Sequence, residues 1–193
     1  VPLVISLYQR GGPSTGMPTR TEQGDLLFAI HAGHGEFPRL VLASGDIEDC
    51  FYDTLLAFNY AERYQLPVIH LLDKALASRI QTVPRFCYED KTIDRGERLA
   101  NGDPDATPFE RFALTSSGIS ARPMLGQSNA QHWLSGAEHD TYGQDCLGEQ
   151  SDALRGGVVV VVGQFTKGFR KHAGMLAHAN KPKEWPRDGR YPT

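Results

Sequence analysis

Taken only as apolar and polar positions, the first part of the chain alternates between two periods. VPLVISLY, residues 1–8, is nearly all apolar and predicts a buried strand. Glu22–Ala32 sets Leu26, Leu27 and Ile30 at helical spacing, with Gly33 and Gly35 to stop the helix. Arg39–Ala43 predicts a second, short strand. Ser44 or Asp46 can cap the next helix, whose Ile47, Cys50, Phe51, Leu55, Phe58 and Ala61 make one apolar face as far as Tyr64. Pro67–Leu72 is apolar almost throughout, as a parallel strand covered on both faces should be. Strand–helix–strand–helix–strand in this order predicts an α/β fold with a doubly wound, mainly parallel sheet.

Beyond the third strand the pattern changes. From Thr82 to Gly148 the periodicity fades, and Pro, Gly, Ser, Asn and Asp become dense. So long a stretch exceeds an ordinary connection and predicts a functional or subunit-contacting loop region with short elements. Gly157–Gly163 encloses a run of five valines and predicts one more strand.

Composition narrows the class. The chain has 193 residues, 40% of them hydrophobic, enough to bury one ordinary core. No apolar run approaches ~20 residues, so no membrane-spanning helix is expected. There is no initiator methionine or signal peptide, and Val1 already stands inside a strand, so the fold is expected to be truncated at its N-terminus. The cysteines Cys50, Cys87 and Cys146 lie far apart, without a C-x-x-C pair, so this chain alone is expected to hold neither zinc nor an iron–sulfur cluster. Cys50, on the apolar side of its helix, is expected to be a buried thiol, and such usage suits a cytoplasmic protein. Charge is uneven: residues 1–150 carry 12 Lys+Arg against 20 Asp+Glu, net −8, and residues 151–193 carry 8 against 3, net +5. The basic end lacks aromatic interleaving, so a solvated face is preferred to nucleic-acid binding.

The densest candidate chemistry is QRGGPSTGMPTRTEQGD, residues 9–25, which leaves the first strand where ligands gather in open α/β sheets. Gly11 and Gly16 have the spacing of a phosphate-binding loop. Met17 and Pro18, however, replace the lysine and hydroxyl that would hold phosphate and metal. Arg10 offers a planar fork for a carboxylate, or it pairs with Glu22 at the helix start. His31-x-x-His34-x-Glu36 has the residues of a metal site, but Gly33 and Gly35 break the helix that would align them, so no metal is assigned. His70 is read as a hydrogen-bonded core histidine, and Asp73 as a helix cap or a functional acid. Glu138-His139-Asp140 lacks an accompanying nucleophile motif.

These segments also carry a resemblance. QRGGPSTGMPTRTEQGDL, HGEFPRLVLA and DIEDCFYDTLLAFNYAERYQLPVIHLLD, followed by SSGISARPMLG and GAEHDTYG, resemble the alpha subunit of 2-oxoacid:ferredoxin oxidoreductases, the 2-oxoglutarate branch above all. The resemblance implies that residues 1–150 are part of a pyrimidine-type thiamine diphosphate domain, whereas residues 151–193 are an unassigned basic tail or the start of another domain. It implies oxidative decarboxylation of a 2-oxoacid, with 2-oxoglutarate favoured, to acyl-CoA and CO2, electrons passing to ferredoxin. Thiamine diphosphate and Mg2+ would be shared with a partner beta subunit, which would carry the iron–sulfur cluster. Matched position by position, the resemblance gives Arg10 the substrate carboxylate and makes Thr15 and Thr19 substrate-facing hydroxyls. Gly11, Gly12 and Gly16 would shape the loop, while Pro13 and Pro18 stiffen it. SSGISARPMLG departs from the family at Ala121, and the GAEHDTYG loop at Thr141 and at Gln144 just after it. The alternatives are a non-catalytic scaffold domain of the same fold and a phosphate- or nucleotide-binding flavodoxin-like domain.

Overall fold

The computed structural model describes residues 2–34, 37–99, 109–124, 126–127, 130–134, 136–137 and 139–144, and the backbone of 159–163. Its elements in chain order are β1 (Leu3–Gln9), α1 (Leu26–His31), β2 (Arg39–Ala43), α2 (Ile47–Tyr64), β3 (Pro67–Asp73), α3 (Lys74–Ala77) and β4 (Val159–Gly163). The strands form one sheet in the order β1-β3-β2-β4, parallel at every pairing. All carboxyl ends therefore lie along one edge, and the register sets Gln9 beside Asp73 there.

Period-2 alternation divides the core between the two faces of the sheet. On one face Val41, Ala43, Ile69 and Leu71 pack against Leu26, Ala29 and Ile30 of α1. On the other, Leu40, Leu42 and Val68 pack against Ala57 and Ala61 of α2. Successive crossover helices thus cover opposite faces, which makes the fold the doubly wound α/β expected.

Three expectations need correction. β1 is not a buried strand: among the described residues it pairs with β3 alone and leaves Leu3, Ile5 and Tyr8 exposed at the sheet's edge. α1 begins at Leu26 rather than Glu22, because residues 21–25 are held by contacts with β1 and β3 described below, and Leu27 of its expected stripe is exposed. The apolar stripe of α2 is split. Small Ala57 and Ala61 face the sheet, Phe58 points outward at 56% exposure, and Phe51 stacks on Phe86 with centroids 4.3 Å apart.

That last contact belongs to a strap. Among the described residues, 79–144 contain no helix or strand, only isolated bridge residues such as the paired Arg98 and Arg122, and turns and extended chain stand where short elements were expected. The segment follows α2: Cys87 N donates to the Tyr52 hydroxyl at 3.1 Å, and Asn59 bonds both Thr92 O and Asp94 N. At the far end Arg63 pairs with Asp94 at 2.8 Å, and Glu62 receives Arg95 and Arg122. Gly96, at φ +67, passes so close that a Cβ there would stand 3.0 Å from the Arg63 backbone.

Candidate active site

α2 and α3 are both capped at the carboxyl edge of the sheet. Asp46 Oδ1 accepts from Asp49 N at 2.8 Å, and Glu48 and Asp49 place negative charge against the helix's positive end. Of the two caps considered for α2, Asp46 fills the position. Asp73 caps α3 by accepting from Leu76 N at 2.6 Å.

Beside these caps lies the loop that leaves β1. Its limbs meet in an antiparallel bridge between Arg10 and Thr21. Within it, Met17 N donates to Gly11 O at 2.8 Å, Gly16 N to Pro13 O at 3.0 Å and Arg20 N to Met17 O at 3.0 Å. Gly16 adopts φ +74, and a Cβ there would stand 2.4 Å from Gly11 O and 3.1 Å from Arg10 Cγ. The glycine is required twice, by its backbone angle and by the Gly11 carbonyl that a side chain would strike, with the Arg10 stem close beside it. At Gly12 a Cβ would meet nothing within 4 Å, and at Gly11 it would meet Glu22 Oε2 at 3.0 Å.

Arg10 is half-buried at the base of this loop, and Thr15 and Thr19 are exposed on it. Glu22 does not pair with Arg10. Among the described residues the Arg10 guanidinium takes part in no ion pair, and its charge is available to a ligand.

Two side chains that the sequence reading passed over tie the loop to the sheet. Gln9, buried at the end of β1, accepts from Asp25 N at 3.1 Å and so fixes the entry to α1. Gln23 Nε2 donates to Asp73 Oδ2 at 2.9 Å, joining the returning limb to the end of β3. Neither has a sequence signal, because the partners stand 16 and 50 residues away. Only the parallel register brings them together.

A second polar group lies under α2. His70, 1% exposed, places Nε2 2.6 Å from Ser44 Oγ, and that hydroxyl donates to Asp53 Oδ2 at 2.8 Å. Because the serine hydroxyl donates to Asp53, its oxygen can accept from His70, which places the ring proton on Nε2 and leaves Nδ1 buried without a partner among the described residues. Burial holds the His70 pKa below its ordinary value against an opposing pull from Asp53. Burial raises that of Asp53, with the Ser44 hydrogen bond opposing. The order acid–serine–histidine is not that of a nucleophilic triad, in which the histidine stands between acid and hydroxyl. It pins the first turns of α2 to β3, and His70 is the hydrogen-bonded core histidine expected.

The other candidates are structural or remain apart. Cys50 is half-buried, and burial raises its thiol pKa. Cys87 is exposed, and Cys146 lies outside the described residues. His31 and His34 are exposed at the end of α1, Glu36 lies outside the described residues, and no metal-holding group of His, Cys, Asp and Glu occurs among the described residues. Glu138 also lies outside them. His139 stacks on Phe112 at 3.9 Å, and Asp140 Oδ1 accepts from Tyr142 N and Gln144 N, each at 2.9 Å, which makes that loop an Asx-type turn.

Against known proteins, residues 1–147 match the family model described as pyruvate flavodoxin/ferredoxin oxidoreductase, thiamine diphosphate-binding. The chain is 52% identical over 143 residues to the alpha subunit of 2-oxoacid:ferredoxin oxidoreductase 1 from Aeropyrum pernix, covering 74% of this chain and 22% of that subunit. It is 31% identical over 156 residues to the 2-oxoglutarate synthase subunit KorA of Methanocaldococcus jannaschii, covering 79% of this chain and 40% of that one. Among solved structures it resembles a 2-oxoglutarate:ferredoxin oxidoreductase from Magnetococcus marinus with 2-oxoglutarate, coenzyme A and succinyl-CoA bound. The TM-score is 0.70 at 41% identity, over 77% of this chain and 25% of that one.

Proposed function

The chain belongs to the pyruvate flavodoxin/ferredoxin oxidoreductase family through its thiamine diphosphate-binding domain, and on that premise we propose that it is the substrate-holding part of an alpha subunit. The chain spans about a fifth of the length of the Aeropyrum subunit. The assembled enzyme would oxidatively decarboxylate a 2-oxoacid to acyl-CoA and CO2 in the cytoplasm and pass the electrons to ferredoxin. 2-Oxoglutarate is the favoured substrate. The names of the Methanocaldococcus and Magnetococcus relatives and the ligands of the latter support it.

One observation carries the reading: Arg10 stands at the carboxyl edge of a parallel sheet, at the base of a glycine-containing loop, and takes part in no ion pair among the described residues. A 2-oxoacid always bears a carboxylate beside its reacting carbonyl, and a guanidinium fork binds such a group with two parallel hydrogen bonds. Arg10 would thereby set the carbonyl's orientation, and Thr15 and Thr19 would present hydroxyls to the same substrate. Gly11, Gly12 and Gly16 would keep the loop narrow enough for that approach.

Bound thiamine diphosphate supplies the carbanion chemistry of decarboxylation. Met17 and Pro18 stand where a nucleotide phosphate loop would have lysine and hydroxyl, and among the described residues no group of His, Cys, Asp and Glu is placed to hold Mg2+. We assign those contacts, and the iron–sulfur cluster, to the partner beta subunit.

Kinetics on the assembled full-length enzyme test the reading. Arg10→Lys keeps the charge and loses the fork, which should remove about 2–3 kcal/mol of transition-state binding, or ~30- to 150-fold in kcat/KM for the 2-oxoacid. Arg10→Met should be worse, because the carboxylate is then desolvated without a partner. Thiamine diphosphate affinity and assembly should stay near normal. An unchanged kcat/KM in both variants would remove Arg10 from the site.

A further inference from the structure

The loop that carries Arg10 is held together by its own turns, and side chains outside them tie it to the sheet. Its two limbs converge at the Arg10–Thr21 bridge, and beyond that bridge two side-chain contacts fasten it to the sheet. Gln9 Oε1 accepts from Asp25 N at 3.1 Å from a buried position, and Asp73 Oδ2 accepts from Gln23 Nε2 at 2.9 Å. Gln9 and Asp73 are register partners at the ends of β1 and β3. Asp73 spends its other oxygen on the α3 cap, so its carboxylate is held in place before it receives Gln23.

We infer that Asp73 and Gln23 form a latch that positions Arg10 for the substrate carboxylate, with Gln9 as its fixed counterpart on β1. The inference rests on the substrate reading of Arg10. Asp73 and Gln23 are positioning residues: they act through the loop and touch no reacting atom. The Gln23–Asp73 bond lies at the surface, where a substitution changes fold stability little, whereas on this inference the loop's placement depends on it. That contrast separates a latch from a structural bond: it should move KM and leave the melting temperature alone.

The test is made on the full-length enzyme assembled with its partner subunit. Gln23→Glu sets a second carboxylate against Asp73 and should raise KM for 2-oxoglutarate about tenfold, with kcat within about twofold and the melting temperature unchanged. Gln23→Met removes the bond without repulsion and should raise KM about threefold. Combining Gln23→Glu with Asp73→Asn rebuilds the pair with donor and acceptor exchanged, and the introduced amide oxygen still caps α3. KM should then return to within about twofold of the parent. An unchanged KM in Gln23→Glu, or a double variant no better than the single one, overturns the latch. Arg10→Lys, run alongside, separates the two levels. If it loses kcat/KM while Gln23→Glu does not, the latch alone fails. If Arg10→Lys has no effect, the substrate reading fails and the latch with it.

Discussion

His70 has one ring nitrogen bonded to Ser44 and the other buried without a partner, so a second proton on the ring would sit in a site that cannot solvate it. Its folded pKa accordingly lies below the ordinary value of 6.5. Between the two values the unfolded chain binds more protons than the native one. The stability tied to neutral His70 is therefore present above the unfolded pKa and lost as pH falls through that window. Asp53 works in the opposite sense and further toward acid: its pKa is raised from 3.8 by burial, so its protonation relieves the native state. Denaturant unfolding of the intact subunit at about pH 7.5 and about pH 5.5 should show a larger fall in midpoint for the parent than for His70→Gln, which can still donate to Ser44. Equal falls would exclude His70 as the source. The apolar run around His70 already marks a core position in the sequence. Its partners were not legible there, because Ser44 reads equally well as a helix cap, and only the pairing of β2 with β3 turns its hydroxyl to the histidine.

Elements were legible where one period and one cap agree. β2 occupies Arg39–Ala43 as its pattern predicts, and α2 ends at Tyr64, where Gln65 adopts the left-handed conformation. What periodicity left open is which side of α2 meets what. Both the sheet and the 83–96 strap present apolar side chains to the helix, so Phe51 and Ala57 carry the same hydrophobic signal for different neighbours. The start of α1 fails for a related reason, since polar side chains at 21–25 are consumed by tertiary hydrogen bonds rather than by a helix. The division on α2 gives a prediction that reverses what residue size suggests. Ala57→Leu pushes a branched side chain into the interface with Leu40, Leu42 and Val68 and should destabilise by ~1–3 kcal/mol. Phe58→Ala, which removes a whole ring from an exposed position, should change stability by under about 1 kcal/mol. Thermal melts of the two variants compare them directly, and a larger loss in Phe58→Ala would mean that the helix is turned the other way.

At the scale of the whole molecule, one edge of the sheet stands open among the described residues. Among the described residues no strand pairs with the outer side of β1, and Leu3, Ile5 and Tyr8 are exposed along it, a combination that native sheets normally cover. On the proposed reading, substrate-side and cofactor-side chemistry are also separated: the loop would supply Arg10, Thr15 and Thr19, while among the described residues no group of His, Cys, Asp and Glu is placed to hold magnesium against a diphosphate. A cofactor carrying two phosphates gains most of its affinity from such contacts, through charge-assisted hydrogen bonds and metal bridging. The 193-residue chain by itself should therefore bind thiamine diphosphate weakly even with Mg2+ present, and assembly with the beta subunit should create the affinity. Titration calorimetry measures both states with the same ligand. No heat at micromolar concentrations for the lone chain, and saturable binding once the partner is added, is the expected pair of results. Micromolar affinity without a partner would show that this chain holds the diphosphate itself, and would move the cofactor contacts from the beta subunit onto residues of this sheet edge.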